Sequence, residues 1–170
     1  MHNHLIFLIG MPAAGKTFWA QQVSEKYDLS FIDLDQYISR HESASVPALF
    51  AQYGEKGFRE REHEYLKKII TNTSEPTIIA CGGGTPCFLN NMGLMKDAGV
   101  VIYLQTDTNQ LLDNLKNSDE IRPLLRGKPD LFAHLQDMLH KRGPVYEQAH
   151  HILHTKDISI ATFAKIIAHV

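Results

Sequence analysis

Gly10-Met11-Pro12-Ala13-Ala14-Gly15-Lys16-Thr17 sets a lysine and a hydroxyl directly behind a loop bounded by two glycines. Phosphate is gripped by converging backbone N–H groups. Glycines permit the tight turn this needs, and a following helix N-terminus adds partial positive charge. The spacing is that of a Walker A loop, in which Lys16 reaches the β and γ phosphates and Thr17 ligates Mg²⁺. Gly10, Pro12, Ala13, Ala14, Gly15, Lys16 and Thr17 are therefore the candidate ATP-binding residues. ATP is the expected co-substrate and Mg²⁺ the expected metal. A bare glycine turn with a surface lysine is the competing reading; the apolar run before the loop and the amphipathic stretch after it weigh against that.

A second constellation is Phe31-Ile32-Asp33-Leu34-Asp35. In extended backbone, carboxylates two residues apart share one face, and at the carboxyl end of a parallel strand they point into the crevice where open α/β sheets bind ligands. They could hold hydrated Mg²⁺, bind sugar-like hydroxyls or accept a proton from an alcohol. Alternatively, one of them caps the next helix. A third is Cys81-Gly82-Gly83-Gly84-Thr85, where glycines after an apolar run permit close ligand approach or merely make a flexible loop. No acid ends that run, so Asp33 is the better candidate for Mg²⁺ support beside Thr17. Arg59, Arg122 and Arg142 complete the set. Guanidinium groups clamp carboxylates and stabilise transferring phosphoryl charge, although each arginine also has an ordinary surface reading.

The elements that must position these residues alternate between short apolar runs and longer stretches of helical period, the pattern of a parallel sheet covered by helices on both faces. Strands are expected at Leu5–Gly10, Ser30–Asp33, Thr77–Cys81, Val100–Leu104 and His151–His154. Helices are expected to begin near Gly15, Gln36, Gly54, Phe88, Thr108, Asp130 and Ser159, with Asp107 and Asp157 as caps or first-turn acids.

A chain of 170 residues can bury one full core, so a single domain, 1–170, is expected. A net charge of −2 gives no broad reason to bind nucleic acid or anionic membrane, and no apolar run approaches the length of a membrane span. The apolar run from Leu5 has no basic segment before it, so no secretion signal is read. Two cysteines, Cys81 and Cys87, do not make a disulfide framework, which favours a cytoplasmic location. The histidines at 2, 4, 150, 151 and 154 lack structural-zinc spacing.

Taken together, Gly10 to Thr17, Asp33-Leu34-Asp35, Gly54-Glu55 with Phe58-Arg59 and Glu62, Gly82-Gly83-Gly84, Arg122-Pro123-Leu124-Leu125 and Arg142-Gly143-Pro144-Val145-Tyr146 resemble the shikimate kinase family over nearly the whole chain. The resemblance implies a P-loop NTPase three-layer sandwich of the nucleoside-monophosphate-kinase type, with a five-stranded parallel sheet, a substrate-binding helical region at about 34–62 and a mobile lid at about 119–130. It implies an enzyme of aromatic amino-acid biosynthesis that transfers phosphate from ATP to shikimate, giving shikimate 3-phosphate and ADP, and acts as a monomer. By the same resemblance the catalytic set is Lys16, Asp35 and Arg122. Asp35 meets the substrate hydroxyls as candidate base. Arg59, Arg142, Gly82 and Gly83 hold the substrate, and Arg122 reaches from the lid to the ATP phosphates. Phe50 and Phe58 wall the pocket and Glu62 orients Arg59. Thr17 and Asp33 are the metal residues. Ala13 and Ala14 depart from the family's common Gly and Ser, and Met11-Pro12 borders the substrate side of the loop. The alternatives are a related kinase, such as one for gluconate, and a nucleotide-binding regulatory module without catalysis; retention of Lys16, Thr17, Asp33, Asp35 and the three arginines argues against the latter.

Overall fold

The computed structural model describes residues 4–117 and 130–168. Five strands, β1 (Leu5–Ile9), β2 (Ser30–Asp33), β3 (Thr77–Ala80), β4 (Val100–Gln105) and β5 (His151–His154), form one parallel sheet in the order β2-β3-β1-β4-β5. All five fall where the apolar runs predict them. β1 is buried along its whole length, as a central strand covered on both faces must be, which explains its unbroken apolar sequence.

The helices are α1 (Lys16–Tyr27), α2 (Leu34–Glu42), α3 (Val46–Asn72), α4 (Asn91–Ala98), α5 (Thr108–Lys116), α6 (Leu131–Tyr146) and α7 (Ile160–Ile167). Right-handed crossovers send the β1-to-β2 connection over one face and the later connections over the other. Accordingly α1 packs with α7, and α3 with α4. The chain leaves β1 in one direction and β3 in the opposite one. These strands are neighbours, with Leu8 beside Ala80 in register, so the sheet has its switch point there. Crevices open at such points, beyond the carboxyl ends of the strands.

Several local expectations change. Asp35 is not in extended backbone: Asp33 accepts the Gln36 N–H at 3.1 Å and so caps α2, which places Asp35 in the first helical turn. The helix expected from Gly54 is the second part of α3. An earlier part starts after the Ser45 cap, and the two meet at Gly54, where φ is 66° and ψ is 178°. Glycine adopts that backbone without the Cβ clash another residue would suffer. The helix expected near Phe88 begins only at Asn91, after a short 3-10 turn over Thr85–Cys87. Ser159, not Asp157, caps α7 by accepting the Thr162 N–H at 3.2 Å. Asp107 caps α5 as expected. The lid segment, 119–130, lies outside the described residues apart from Asp130, and Arg122 lies outside them altogether.

Candidate active site

Both glycine loops follow the two strands of the switch point, the phosphate loop after β1 and Gly82-Gly83-Gly84 after β3. The Cys81 N–H donates to the Leu8 carbonyl at 3.0 Å, which carries the pairing of these strands to the mouth of the crevice. Gly10 is required by proximity, since a Cβ there would sit 2.7 Å from the Leu104 carbonyl oxygen. Ala13 takes the left-handed conformation at φ 64°, which costs a non-glycine residue roughly 1–3 kcal/mol. The Asn114 side-chain amide donates to the Ala13 carbonyl at 2.8 Å and helps hold the loop in that shape.

Lys16 is only 5% exposed. Its Nζ donates to the carbonyls of Gly10 at 3.0 Å and Met11 at 2.8 Å, curling the side chain back over its own loop. The Thr17 hydroxyl donates to Asp33 Oδ2 at 2.7 Å, while Asp33 Oδ1 caps α2. Capping and a place beside Thr17 are thus compatible, because the carboxylate has two oxygens. A hydroxyl and a carboxylate are hard oxygen donors, which suit Mg²⁺; that ion keeps waters and phosphate oxygens and needs few protein ligands. Among the described residues no cluster of three or more His, Cys, Asp or Glu forms a metal cage.

At the other end of the crevice, side chains from four elements converge on the triple glycine. A Cβ at Gly82 would lie 3.0 Å from Asp35 Oδ1 and 3.1 Å from Glu62 Oε1. At Gly83 it would lie 2.9 Å from Pro12 Cδ and 3.3 Å from Arg142 Nη1, and at Gly84 it would overlap the Arg59 guanidinium. Asp35, Glu62, Pro12, Arg142 and Arg59 therefore meet at the glycine loop, where a side chain at Gly84 would overlap Arg59 and one at Gly82 or Gly83 would crowd its neighbours.

Glu62 is fully buried and accepts Arg59 Nη1 at 2.8 Å. The Arg59 guanidinium also lies over Phe88 at 4.6 Å, Phe58 at 5.3 Å and Phe50 at 5.6 Å, with the Phe50 and Phe58 rings stacked 4.3 Å apart across the Gly54 kink. Phe88 adds a third ring to the expected pair. Such surroundings fix the guanidinium's plane and strengthen its electrostatics by excluding water. Breaking a buried pair of this kind by removing one partner typically costs about 3–5 kcal/mol.

Arg59 Nε and Arg142 Nη1 are buried polar atoms with no hydrogen-bond partner in the described structure. Orphaned buried donors are rare because each carries a desolvation cost of about 1–3 kcal/mol. The Tyr146 hydroxyl donates to the Gly83 carbonyl at 2.5 Å. Burial pushes that hydroxyl well above its usual range, with Arg142 pulling the other way, so it stays protonated and donates. Tyr146 thereby fixes one glycine of the loop, a contribution sequence reading did not assign although the residue stands in the same motif as Arg142.

The described candidates other than Gly10 line one cleft, as do Phe50, Phe58 and Glu62. Its volume is about 1690 Å³. One small-ligand site occupies roughly 300–1,000 Å³, so the cleft has room for two ligands end to end. Both cysteines are free; burial pushes each thiol up, which leaves them neutral packing groups.

The shikimate kinase family model matches residues 12–170. The chain belongs to the shikimate kinase family. It is 37% identical to the shikimate kinase of Phocaeicola vulgatus over 155 residues, covering 90% of this chain and 87% of that one. With the shikimate kinase of Bacteroides fragilis it shares 38% identity over 149 residues, covering 86% and 82%. Among solved structures, the shikimate kinase of Bacteroides thetaiotaomicron superimposes with a TM-score of 0.88 at 33% identity, covering 97% of this chain and 96% of that one. The shikimate kinase of Acinetobacter baumannii in complex with shikimate gives 0.85 at 32%, covering 97% and 90%. The fold is thus that of the family, a five-stranded parallel P-loop sandwich.

Proposed function

We propose that this chain transfers the γ-phosphoryl group of ATP to the 3-hydroxyl of shikimate, releasing ADP. The observation that carries the reading is the pair of unpartnered buried guanidinium donors, Arg59 Nε and Arg142 Nη1, in the same cleft as a phosphate loop. Two cationic forks beside a carboxylate, Asp35, suit a small ligand that carries a carboxylate on one side and hydroxyls on the other. Membership of the shikimate kinase family supports shikimate over gluconate as that ligand.

In-line positioning and charge neutralisation govern phosphoryl transfer. In this reading Arg59 and Arg142 take the carboxylate, and Gly82 and Gly83 allow the ring to approach the backbone. Asp35 orients the 3-hydroxyl and accepts its proton as the oxygen bonds to phosphorus and the bond to ADP breaks. Lys16 offsets charge on the transferred group, and the N–H groups from Ala13 to Thr17 hold the phosphates. Mg²⁺, held by Thr17 and by Asp33 through water, would supply further charge neutralisation on the phosphates. Arg122 is assigned by family resemblance to a lid over ATP. Family resemblance supports a monomeric, single-domain enzyme; two free thiols and a requirement for ATP favour the cytoplasm. Among the described residues no helix is long and apolar enough to cross a membrane.

A coupled ADP-release assay with the full chain across shikimate, quinate and gluconate tests the reading. Rapid release with shikimate alone, with the product identified as the 3-phosphate by phosphorus NMR, is expected. Preference for gluconate, or no turnover with shikimate, would overturn it.

A further inference from the structure

Glu62 poses a problem that its salt bridge with Arg59 leaves unsolved. It is 0% exposed, so both carboxylate oxygens need donors from the protein, and Arg59 supplies only Oε2. The donor to Oε1 is Thr85, whose hydroxyl lies 2.6 Å away and is itself fully buried. Thr85 is in turn anchored at both ends. Its N–H donates to the Gly82 carbonyl at 3.1 Å, and its carbonyl accepts the Asn91 side-chain amide at 2.8 Å. Because that amide nitrogen is committed to a carbonyl, the Asn91 oxygen must be the acceptor facing His63 Nδ1, 2.6 Å away. The result is a run of hydrogen bonds that converges on Glu62: His63 donates to Asn91, Asn91 to Thr85 and Thr85 to Oε1 of Glu62, while Arg59 donates to Oε2 from the other side.

We propose that Thr85 is a positioning residue of the acid pocket: its hydroxyl locks the Glu62 carboxylate and, through it, the aim of the Arg59 guanidinium, while Asn91 pins Thr85 from behind. The proposal rests on the reading that Arg59 receives the substrate's carboxylate. Without the Thr85 hydroxyl, one oxygen of Glu62 loses its donor and the carboxylate can turn about its last torsion, which is soft. Arg59 follows, because Nη1 is tied to that carboxylate. The aromatic rings restrain the guanidinium plane but supply no directional bond, and the exposed Glu55 carboxylate approaches Nη2 only to 3.7 Å, so the fork's rotation within that plane depends chiefly on Glu62 at 2.8 Å.

Thr85→Val removes the hydroxyl at nearly constant volume. Steady-state kinetics on the full chain should show the KM for shikimate raised on the order of tenfold, as expected for one lost hydrogen bond to a charged group. The KM for ATP should stay within about twofold. Thr85→Ser, which keeps the hydroxyl, should restore the shikimate KM. Thr85→Ala carries the same expectation as valine if the extra methyl disturbs the turn. Arg59→Lys separates the two levels of the argument. If Arg59→Lys raises the shikimate KM and Thr85→Val does not, the positioning role is wrong. If neither does, the carboxylate reading of Arg59 fails and the proposal with it. In the Arg59→Lys background Thr85→Val should add little; full additivity, or equal rises in both KM values, would show a general structural effect and overturn the proposal.

Discussion

The two ends of the cleft are built on opposite plans. The phosphate end is one continuous segment from Gly10 to Thr17, held mainly by its own backbone and by Lys16, whose ammonium bonds two carbonyls of the same loop, with one outside bond from Asn114 to the Ala13 carbonyl. The acid end is an assembly: Asp35 from α2, Arg59 and Glu62 from α3, Thr85 from the turn after β3, and Arg142 and Tyr146 from α6. The difference teaches where tolerance should lie. A backbone cradle changes little when one side chain is altered, provided its shape is kept. A side-chain assembly transmits a change at one member to the next through shared hydrogen bonds.

The sharpest way to break this comparison lies at Asp35. Asp35→Asn keeps shape and removes charge, and a general base should then lose about 10²–10⁴-fold in kcat, with no rescue by added metal. A rise in KM with kcat unchanged would reduce Asp35 to a binding group. At the phosphate end, Lys16→Ala should lower kcat by about 10²–10³-fold, the scale of one lost transition-state donor. Far-UV circular dichroism should remain that of the wild type. Near-normal turnover would break the assignment of the loop.

Asp33→Asn should act more gently. The amide oxygen can still cap α2, so the fold is kept, while the Mg²⁺ concentration for half-maximal activity should rise by about 10–100-fold, the range seen when metal-supporting groups are altered. A magnesium titration reads this, and an Asp33→Asn response identical to that of Asp35→Asn would erase the division between the two aspartates.

The smallest effect lies outside the cleft. His150 Nδ1 accepts the Val101 N–H at 3.1 Å, and burial, Lys96 and His151 hold its pKa below the usual 6.5. Above the ordinary histidine value both folded and unfolded chains are neutral there. Below it the unfolded chain takes up the proton first, so stability falls with falling pH. Because the residue is exposed, the change should be slight. His150→Asn keeps an acceptor for Val101 and should flatten the melting temperature between about pH 6.5 and 5; an unchanged slope would show that another group sets it.

The contrast between the two ends also explains what the sequence revealed. The phosphate loop was legible because its chemistry is local; β1, β3 and β4 were legible because central strands are largely apolar, and the edge strands β2 and β5 because each is a short run with branched or aromatic residues. The acid end was recognisable only through family resemblance, since nothing in the spacing of Asp35, Arg59, Gly82 and Arg142 states that a switch point between β3 and β1 draws them together. Asp35 reads as extended because Asp33 serves equally as a strand end and as a helix cap; the cap decides it. The first part of α3 was missed because Gly54 looks like a boundary when it is a kink. Thr85, Asn91 and Tyr146 carried no signal beyond proximity to the recognised motifs, because a buried hydroxyl or amide acquires its meaning from a partner distant in sequence.

The central claim is that the guanidinium pair recognises a carboxylate, and titration calorimetry with shikimate and its methyl ester addresses it most directly. The wild-type chain should bind the acid well and the ester poorly. Arg142→Lys, which keeps the charge but loses the fork, should weaken the acid by about 1–3 kcal/mol while leaving the ester and ATP nearly unchanged. Equal binding of acid and ester by the wild type, or acid binding untouched in Arg142→Lys, would contradict the account.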